Sequence, residues 1–192
     1  MGYRPKTPLE AMLLRTGDET VDRERVASNS ALTASTQNLR FAFFRARKTE
    51  TTTQVKIISG ATAAGATPSL LRIGLWLVGA DPTADLVPVA STASDTSLLA
   101  AQNTEYTKAW QASYDKVAGL WYAVGVLVVT AATAPTLQGV SLFAASNLSA
   151  PISATPRLAA TLGSQTDLPV GTILASSLSF SVGGKLYANV LP

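Results

Sequence analysis

The chain has 192 residues, of which 47% are apolar and 14% are charged, and its formal net charge is +3. It contains no Cys and no His, which excludes disulfides, thiolate metal sites and Ser-His-Asp catalysis. We therefore expect one domain with a short arm, no cofactor, no metal site and no enzymatic activity. Such scarce charge is typical of a surface covered by other subunits, so we also expect self-association.

Basic side chains are concentrated near the start of the chain. Residues 1–56 hold ten of the fifteen Lys and Arg residues, whereas the remaining residues carry five basic and six acidic groups. A nearly neutral body predicts no nucleic-acid binding, which would need basic charge gathered on one folded face. Every window of bilayer length is interrupted by polar or helix-breaking residues, so we expect no membrane insertion.

Residues 1–31 differ in character from the rest and are predicted to form an anchoring arm with a short helix. Thr7 is a suitable N-cap, Pro8 suits the first helical position, and Gly17 ends the helix. So short a helix needs a surface for its apolar side chains. These side chains are Leu9, Met12, Leu13 and Leu14. We expect them to dock on a neighbouring protein.

From Leu32 onward the pattern is that of short strands. Two alternating segments joined by a polar link predict a hairpin over residues 39–58. In the first segment, Leu39, Phe41 and Phe43 are expected on one face, and Arg40, Ala42 and Phe44 on the other. Arg45, Arg47 and Lys48 are predicted as outward charges that protect an edge strand, with a binding patch as the alternative.

The next segments continue the strand pattern. Residues 60–68 form a loop of small residues without the Lys-Ser/Thr ending of a phosphate-binding loop. Residues 70–78 predict a strongly apolar strand, and residues 86–90 predict a returning strand in which Pro88 favours an edge position. Residues 105–114 suit either a helix or a strand, and the short turn before the next element favours the strand.

The most apolar run covers residues 117–130 and has no charged side chain between Gly119 and Val129. It is rich in β-branched and aromatic residues and too short to span a bilayer. It therefore predicts a central strand that is buried on both faces. Gly125 within this strand predicts a bulge or the close approach of another backbone.

Three further strands are predicted at residues 137–145, 172–178 and 187–191. Turns recur about every 8–12 residues, which is typical of an antiparallel sandwich or barrel. The sequence therefore predicts an all-β, antiparallel domain over residues 32–192.

Few side chains suggest a binding or catalytic site. Two carboxylate pairs have the composition of a glycosidase site, namely Asp81 with Asp85 and Glu105 with Asp115, but we expect no catalytic residue, because Asp81 precedes Pro82 in an apparent turn, where Asp is common. Trp76 and Trp121 lie in the most apolar strands and are expected in the core. Trp110 and Tyr114 lie in a more polar stretch, where their rings could stack on a sugar.

Several segments, taken together, resemble a known family. They are LRFAFFRARKTET at residues 39–51, SGATAAGATP at 59–68, SLLRIGLWLVGAD at 69–81, LVPVASTASDT at 86–96, AGLWYAVGVLVV at 118–129 and PRLAATLGSQTDLP at 156–169. Their order resembles the C-terminal domain of minor tail proteins of tailed phages that infect actinobacteria. The resemblance covers roughly residues 32–192 and transfers no catalytic residue.

The resemblance implies a jelly-roll-like β-sandwich, often trimeric, that is displayed on the virion. We therefore expect a homo-oligomer, anchored by its arm to other virion proteins of the tail, or alternatively of the head as a decoration or head-fibre protein. It implies in addition contact with a glycan of the host envelope. The alternative from a different class is a carbohydrate-binding module or a glycan hydrolase.

Overall fold

The computed structural model describes residues 17–21, 30–64, 68–130, 133–141, 158–180 and 184–192. The strands are β1 Asp18–Glu19, β2 Ser30–Thr33, β3 Leu39–Arg45, β4 Glu50–Ile58, β5 Leu70–Gly79, β6 Val87–Ser91, β7 Glu105–Lys116, β8 Trp121–Val129, β9 Thr136–Ser141, β10 Ala159–Leu162, β11 Gly184–Leu186 and β12 Ala188–Leu191. The predicted helix of the arm, with Leu9, Met12, Leu13 and Leu14, lies outside the described residues. Within the described ranges, no helix is long and apolar enough to cross a membrane.

The strand pairing is that of a jelly roll. One sheet has the order β1-β12-β4-β7 and another the order β10-β3-β8-β5-β6, with β11-β9-β2 as a small third sheet. Eight strands form a nested antiparallel series, in which β1 pairs with β12, β3 with β8, β4 with β7 and β5 with β6. This nesting of first with last is the arrangement of a double-sheet jelly roll. The predicted all-β antiparallel sandwich is confirmed.

Strand β8 is the centre of the larger sheet, as its apolar run predicts. It lies between β3 and β5, and seven of its nine residues are buried. Tyr122, Val124, Val126 and Val128 face the core between the sheets, which we call the inner core. Ala123 and Leu127, on the opposite face, belong to a second apolar cluster, the outer core. The expected two-sided burial is confirmed.

Alternation in β3 divides its side chains between these two cores as expected. Leu39, Phe41 and Phe43 belong to the outer core, while Ala42 and Phe44 belong to the inner core. The predicted hairpin over residues 39–58 is wrong, however. Strand β3 pairs with β8 and β10, whereas β4 pairs with β7 and β12 in the opposite sheet. The polar link therefore crosses between sheets, which local alternation cannot reveal.

Gly125 has a different role from the one predicted. Strand β8 has no register shift at this residue, and Gly125 lies opposite Gly74 of β5. A Cβ atom at Gly125 would lie 2.7 Å from Trp76 Cζ3 and 3.0 Å from both Leu39 Cδ1 and Phe41 Cε1. The close approach is therefore made by the Trp76 ring, for which two opposing glycines leave room.

The outer core is covered by residues 163–180, which we call the cover segment. Leu168, Ile173 and Leu178 of this segment are buried against the outer core. Residues 172–178 were predicted to form a strand, and this prediction is wrong. The structure has a single bridge from Ile173 to Leu86, followed by a 3-10 helix at Ala175–Ser177. The apolar residues of this segment are spaced as they are because their side chains pack onto the outer face of the larger sheet.

The remaining strand predictions agree with the structure. Pro88 lies in β6, an edge strand of the five-stranded sheet, as expected. Residues 105–116 form strand β7, which confirms the preference for a strand at 105–114. Residues 188–191 form β12, within the predicted range 187–191. Strand β9 covers Thr136–Ser141, in agreement with the first part of the strand predicted at 137–145, and residues 142–145 lie outside the described residues.

Part of the predicted arm belongs to the sandwich. Residues 17–21 lie within the segment 1–31, yet Asp18 and Glu19 pair with Val190 and Asn189 of β12. The Thr20 hydroxyl donates a 2.7 Å hydrogen bond to the Leu186 carbonyl and accepts a 2.9 Å bond from the Ala188 backbone N–H. The first jelly-roll strand is thus fixed to the last one.

Candidate functional site

Trp110 does not form an exposed stacking platform. Its side chain is in the inner core, with 6% of its surface exposed. The indole Nε1 donates a 3.1 Å hydrogen bond to Thr52 Oγ1, and Thr52 Oγ1 in turn donates a 2.6 Å bond to the Leu191 carbonyl. Because both its ring and its polar atom are engaged internally, this face of Trp110 is closed to a sugar.

Tyr114 lies at the margin of the same core. Its ring is half-buried and packs edge-on against Tyr122, with 6.1 Å between the ring centroids. Burial, followed by the hydrogen bond with Tyr122, raises the pKa of Tyr114 to about 12. The structure thus brings Trp110 and Tyr114 to one side of β7, where both contribute to packing.

Asp81 and Asp85 stabilise local backbone. Asp81 Oδ1 accepts hydrogen bonds from the Thr83 backbone N–H at 2.8 Å and from its hydroxyl at 2.7 Å. Asp85 Oδ1 accepts a 2.7 Å bond from the Ala175 backbone N–H, at the start of the 3-10 helix. These are the bonds of turn and cap residues.

The second carboxylate pair is divided between two other partners. Glu105 forms a 2.6 Å ion pair with Lys56, and Asp115 accepts a 2.6 Å bond from the Thr51 hydroxyl. Nothing in this geometry joins Glu105 and Asp115 in one site. Over the described ranges, no group of three or more Asp and Glu side chains is arranged to hold a metal ion.

Two further ionic contacts connect β7 with its surroundings. Asp95 pairs with Lys108, and the hydrogen bond from Lys108, then that from the Ser97 hydroxyl, lowers the pKa of Asp95 to about 2. Arg72 donates to Gln111 Oε1 at 3.0 Å and to Asp167 Oδ1 at 2.8 Å, so it ties β7 to the cover segment. These contacts close one side of the sandwich.

The most unusual polar feature is a group of four charged side chains, two of them buried, which we call the ionic cluster: Asp18, Arg47, Glu50 and Lys116. Lys116 has 0% of its side chain exposed, and Asp18 has 3%. Lys116 Nζ contacts Asp18 Oδ2 and lies 2.9 Å from Glu50 Oε1. Asp18 Oδ1 accepts hydrogen bonds from the Arg47 backbone N–H at 3.2 Å and from Arg47 Nε at 3.1 Å.

The ionic cluster lies where three distant parts of the chain meet. Asp18 comes from β1, Arg47 from the link between β3 and β4, Glu50 from the start of β4 and Lys116 from the end of β7. Lys116 lies directly opposite Glu50 in the β4–β7 ladder. Next to it, the Val117 backbone N–H donates a 3.0 Å bond to the buried Tyr122 hydroxyl. The cluster therefore adjoins the aromatic end of the inner core.

Sequence reasoning missed the ionic cluster. The alternation of β7 carries a signal, because Lys116 continues the inward series that contains Trp110 and Tyr114. The partner Asp18 could not be found in this way, since it lies 98 positions away along the chain in the predicted arm. The strand alternation predicts that Lys116 is buried, and a buried charge needs a partner of opposite charge. That requirement was the only sequence signal for the ionic cluster.

The prediction that Arg45, Arg47 and Lys48 protect an edge strand is wrong. Strands β3 and β4 both have neighbours on each side, so neither is an edge strand. Arg47 turns inward to Asp18, and Arg45 Nε donates a 2.7 Å bond to the Gly119 carbonyl. Arg45 therefore stabilises the turn between β7 and β8, and Arg47 is part of the ionic cluster.

Comparison with known proteins adds no family to these observations. No protein-family model matches the chain, and a search of curated proteins finds no matching sequence.

Proposed function

We propose that this chain is a structural protein of a tailed-phage virion, a minor tail or tail-tip protein that assembles as a homotrimer and contacts the host surface. The sequence resemblance and the jelly-roll topology support this proposal together. Jelly rolls are common in viral shells and in lectins, but a fold alone does not fix a function. The proposal therefore depends on the character of the surface.

The observation that carries the proposal is an apolar surface in the middle of the cover segment. Val170 has 97% of its surface exposed and Leu174 has 57%. The Ile173–Leu86 bridge, with both backbone bonds at 2.9 Å, holds this part of the segment against the residue that precedes β6. Val87, the first residue of that strand, is also 44% exposed. Apolar side chains held outward by a fixed backbone are typical of an interaction surface.

The charges of the body support the same proposal. Lys56, Lys108 and Lys116 are each paired with a carboxylate, and Arg72 is paired with Asp167. Small neutral residues also form much of the outer surface. Both features suit a chain whose neighbours are copies of itself.

Sedimentation velocity over a series of micromolar concentrations tests the assembly. We expect an oligomer that the double substitution Val170→Asp with Leu174→Asp converts to a folded monomer. Thr107→Asp, on the exposed face of β7, is the matched control and should leave the oligomer intact. A wild-type protein that remains monomeric throughout the series would contradict the assembly proposal.

Antibody labelling of phage particles, viewed by electron microscopy, tests the location. Label at the tail end supports an adsorption-apparatus protein, whereas label spread over the head favours a decoration or head-fibre protein. Absence of label on particles from a lysate that contains the protein overturns the virion proposal. The carbohydrate-binding module or glycan hydrolase would then be the function to test, with an aromatic surface other than Trp110.

A further inference from the structure

We propose that Lys116 and Asp18 become joined by an intramolecular isopeptide bond, formed by the folded chain itself with Glu50 as the proton-transfer group. The proposal goes beyond the structural role above and does not depend on it. It assigns a covalent modification to two side chains of the ionic cluster.

The contacts of Lys116 Nζ place the reacting groups together. The nitrogen contacts Asp18 Oδ2 on one side and lies 2.9 Å from Glu50 Oε1 on the other. The nucleophile is therefore in direct contact both with the electrophilic carboxyl group and with a second carboxyl group that can exchange protons with it. Groups held in such contact react as if at very high concentration, because their approach needs no further ordering.

The two oxygens of Asp18 have different surroundings, as the reaction needs. Oδ2 faces the lysine and is the oxygen that leaves. Oδ1 accepts two N–H bonds from Arg47, at 3.2 Å from the backbone and 3.1 Å from Nε. Negative charge that develops on Oδ1 during attack would therefore be stabilised by donors already in place.

The reaction is a condensation that balances without any other reagent. Glu50 accepts a proton from the Lys116 ammonium group and passes it to Asp18 Oδ2, so that a neutral amine faces a neutral carboxyl group and Glu50 is again a carboxylate. The Nζ electron pair attacks Asp18 Cγ and forms the C–N bond. Glu50 transfers a nitrogen proton to Oδ2, the Cγ–Oδ2 bond breaks, and one water leaves. An amide remains, and Glu50 and Arg47 keep their charges.

Burial favours this outcome over a permanent ion pair. Lys116 is fully enclosed and Asp18 nearly so, and charges removed from water are unfavourable even when they are paired. The condensation eliminates one positive and one negative charge. It leaves Arg47 and Glu50, which balance each other. Other lysine–carboxylate pairs differ in burial, since Glu105 beside Lys56 is 47% exposed.

Mass spectrometry of the purified full-length protein tests the proposal directly. Under denaturing conditions we expect a mass lower by one water than the mass calculated from the sequence, and lower by one water than that of the Lys116→Arg variant after correction for the substitution. Trypsin should fail to cut after Lys116 and should release residues 16–23 joined to residues 109–157. A wild-type protein with the unmodified mass, cut by trypsin after Lys116, would overturn the proposal.

Variants assign the roles of the three residues. Lys116→Arg keeps the charge but removes the amine, so no link should form. Glu50→Gln keeps the shape and should slow the linkage by about 100-fold or more, since proton transfer typically contributes that factor. Glu105→Gln is the matched control at an exposed lysine pair and should leave the link complete. Near-ultraviolet circular dichroism establishes that each variant folds, and a folded Glu50→Gln protein that links as fast as wild type contradicts the role of Glu50.

Discussion

Gly125→Ala tests the packing at the centre of the larger sheet. The new methyl group would lie 2.7 Å from Trp76 Cζ3 and 3.0 Å from Leu39 Cδ1 and Phe41 Cε1. Trp76 is 1% exposed, and its ring packs edge-on against Phe41 with 5.0 Å between centroids. Trp76 Cζ3, the nearest of these atoms, belongs to a rigid buried ring, so the indole must shift as a whole.

Two opposing effects set the magnitude. Overpacking a dense core costs about 1–3 kcal/mol, whereas the loss of glycine's freedom in the unfolded chain returns about 0.4–1 kcal/mol. Because three buried neighbours are displaced together, we expect a net loss of about 2 kcal/mol in the free energy of unfolding. For a chain of this size, that loss lowers Tm by about 4–8 °C.

Urea denaturation and thermal melting measure this change. Gly163→Ala is the control, because a Cβ atom there meets nothing within 4 Å. Trp76→Leu is itself destabilising, but in the Trp76→Leu protein Gly125→Ala should cost less than in the wild type, since the smaller side chain vacates the space that the methyl group takes. A Gly125→Ala protein as stable as wild type, or a double variant whose effects simply add, would refute the packing argument.

Three other predictions concern Trp110 and Tyr114 of β7 and Asp95, the ion-pair partner of Lys108. Trp110→Phe should lower the free energy of unfolding by about 1–2 kcal/mol in urea titrations, because Thr52 loses its indole donor. The pKa of Asp95 is lowered from its ordinary value of 3.8 to about 2 in the folded protein. Its contribution to the free energy of unfolding is therefore fully present above pH 3.8 and is lost as the pH falls to about 2. Thermal melts from pH 5 to about 2 should show this loss, and Asp95→Asn should flatten it. The pKa of Tyr114 is raised from 10.0 to about 12, so its contribution holds below pH 10.0 and disappears as the pH approaches about 12. Absorbance titration of the wild type and Tyr114→Phe would reveal an ordinary tyrosine if the reasoning is wrong.

Local patterns predicted the elements whose neighbours are set by burial. The uncharged run of β8 indicated a strand covered on both faces, and the structure places it between β3 and β5. Alternation in β3 correctly divided Phe41 and Phe44 between the outer and inner cores. In each case the side chain pattern itself records the environment, because apolar side chains that alternate or run together must be buried on one face or both.

Pairing and cover were not predictable from the same patterns. The hairpin over residues 39–58 failed because a polar link of a few residues serves equally well to turn back or to cross to another sheet. The strand at 172–178 failed because Ile173 and Leu178 are buried by lying across a sheet face. Trp110 was misjudged because its polar neighbours face outward while its own side chain faces inward. These errors concern where a segment goes, which depends on distant residues.

The nested pairing also determines when the molecule can fold. The partner of β1 is β12, whose last residue is Leu191, so the outermost pair of the series cannot form until the chain has been synthesised as far as β12. Contacts this distant along the chain require large loops to close, and sheet-rich domains with such contacts fold in milliseconds to seconds. Folding of the sandwich should therefore wait for β12, and a chain that stops before this strand would leave the edge of β4 without its neighbour.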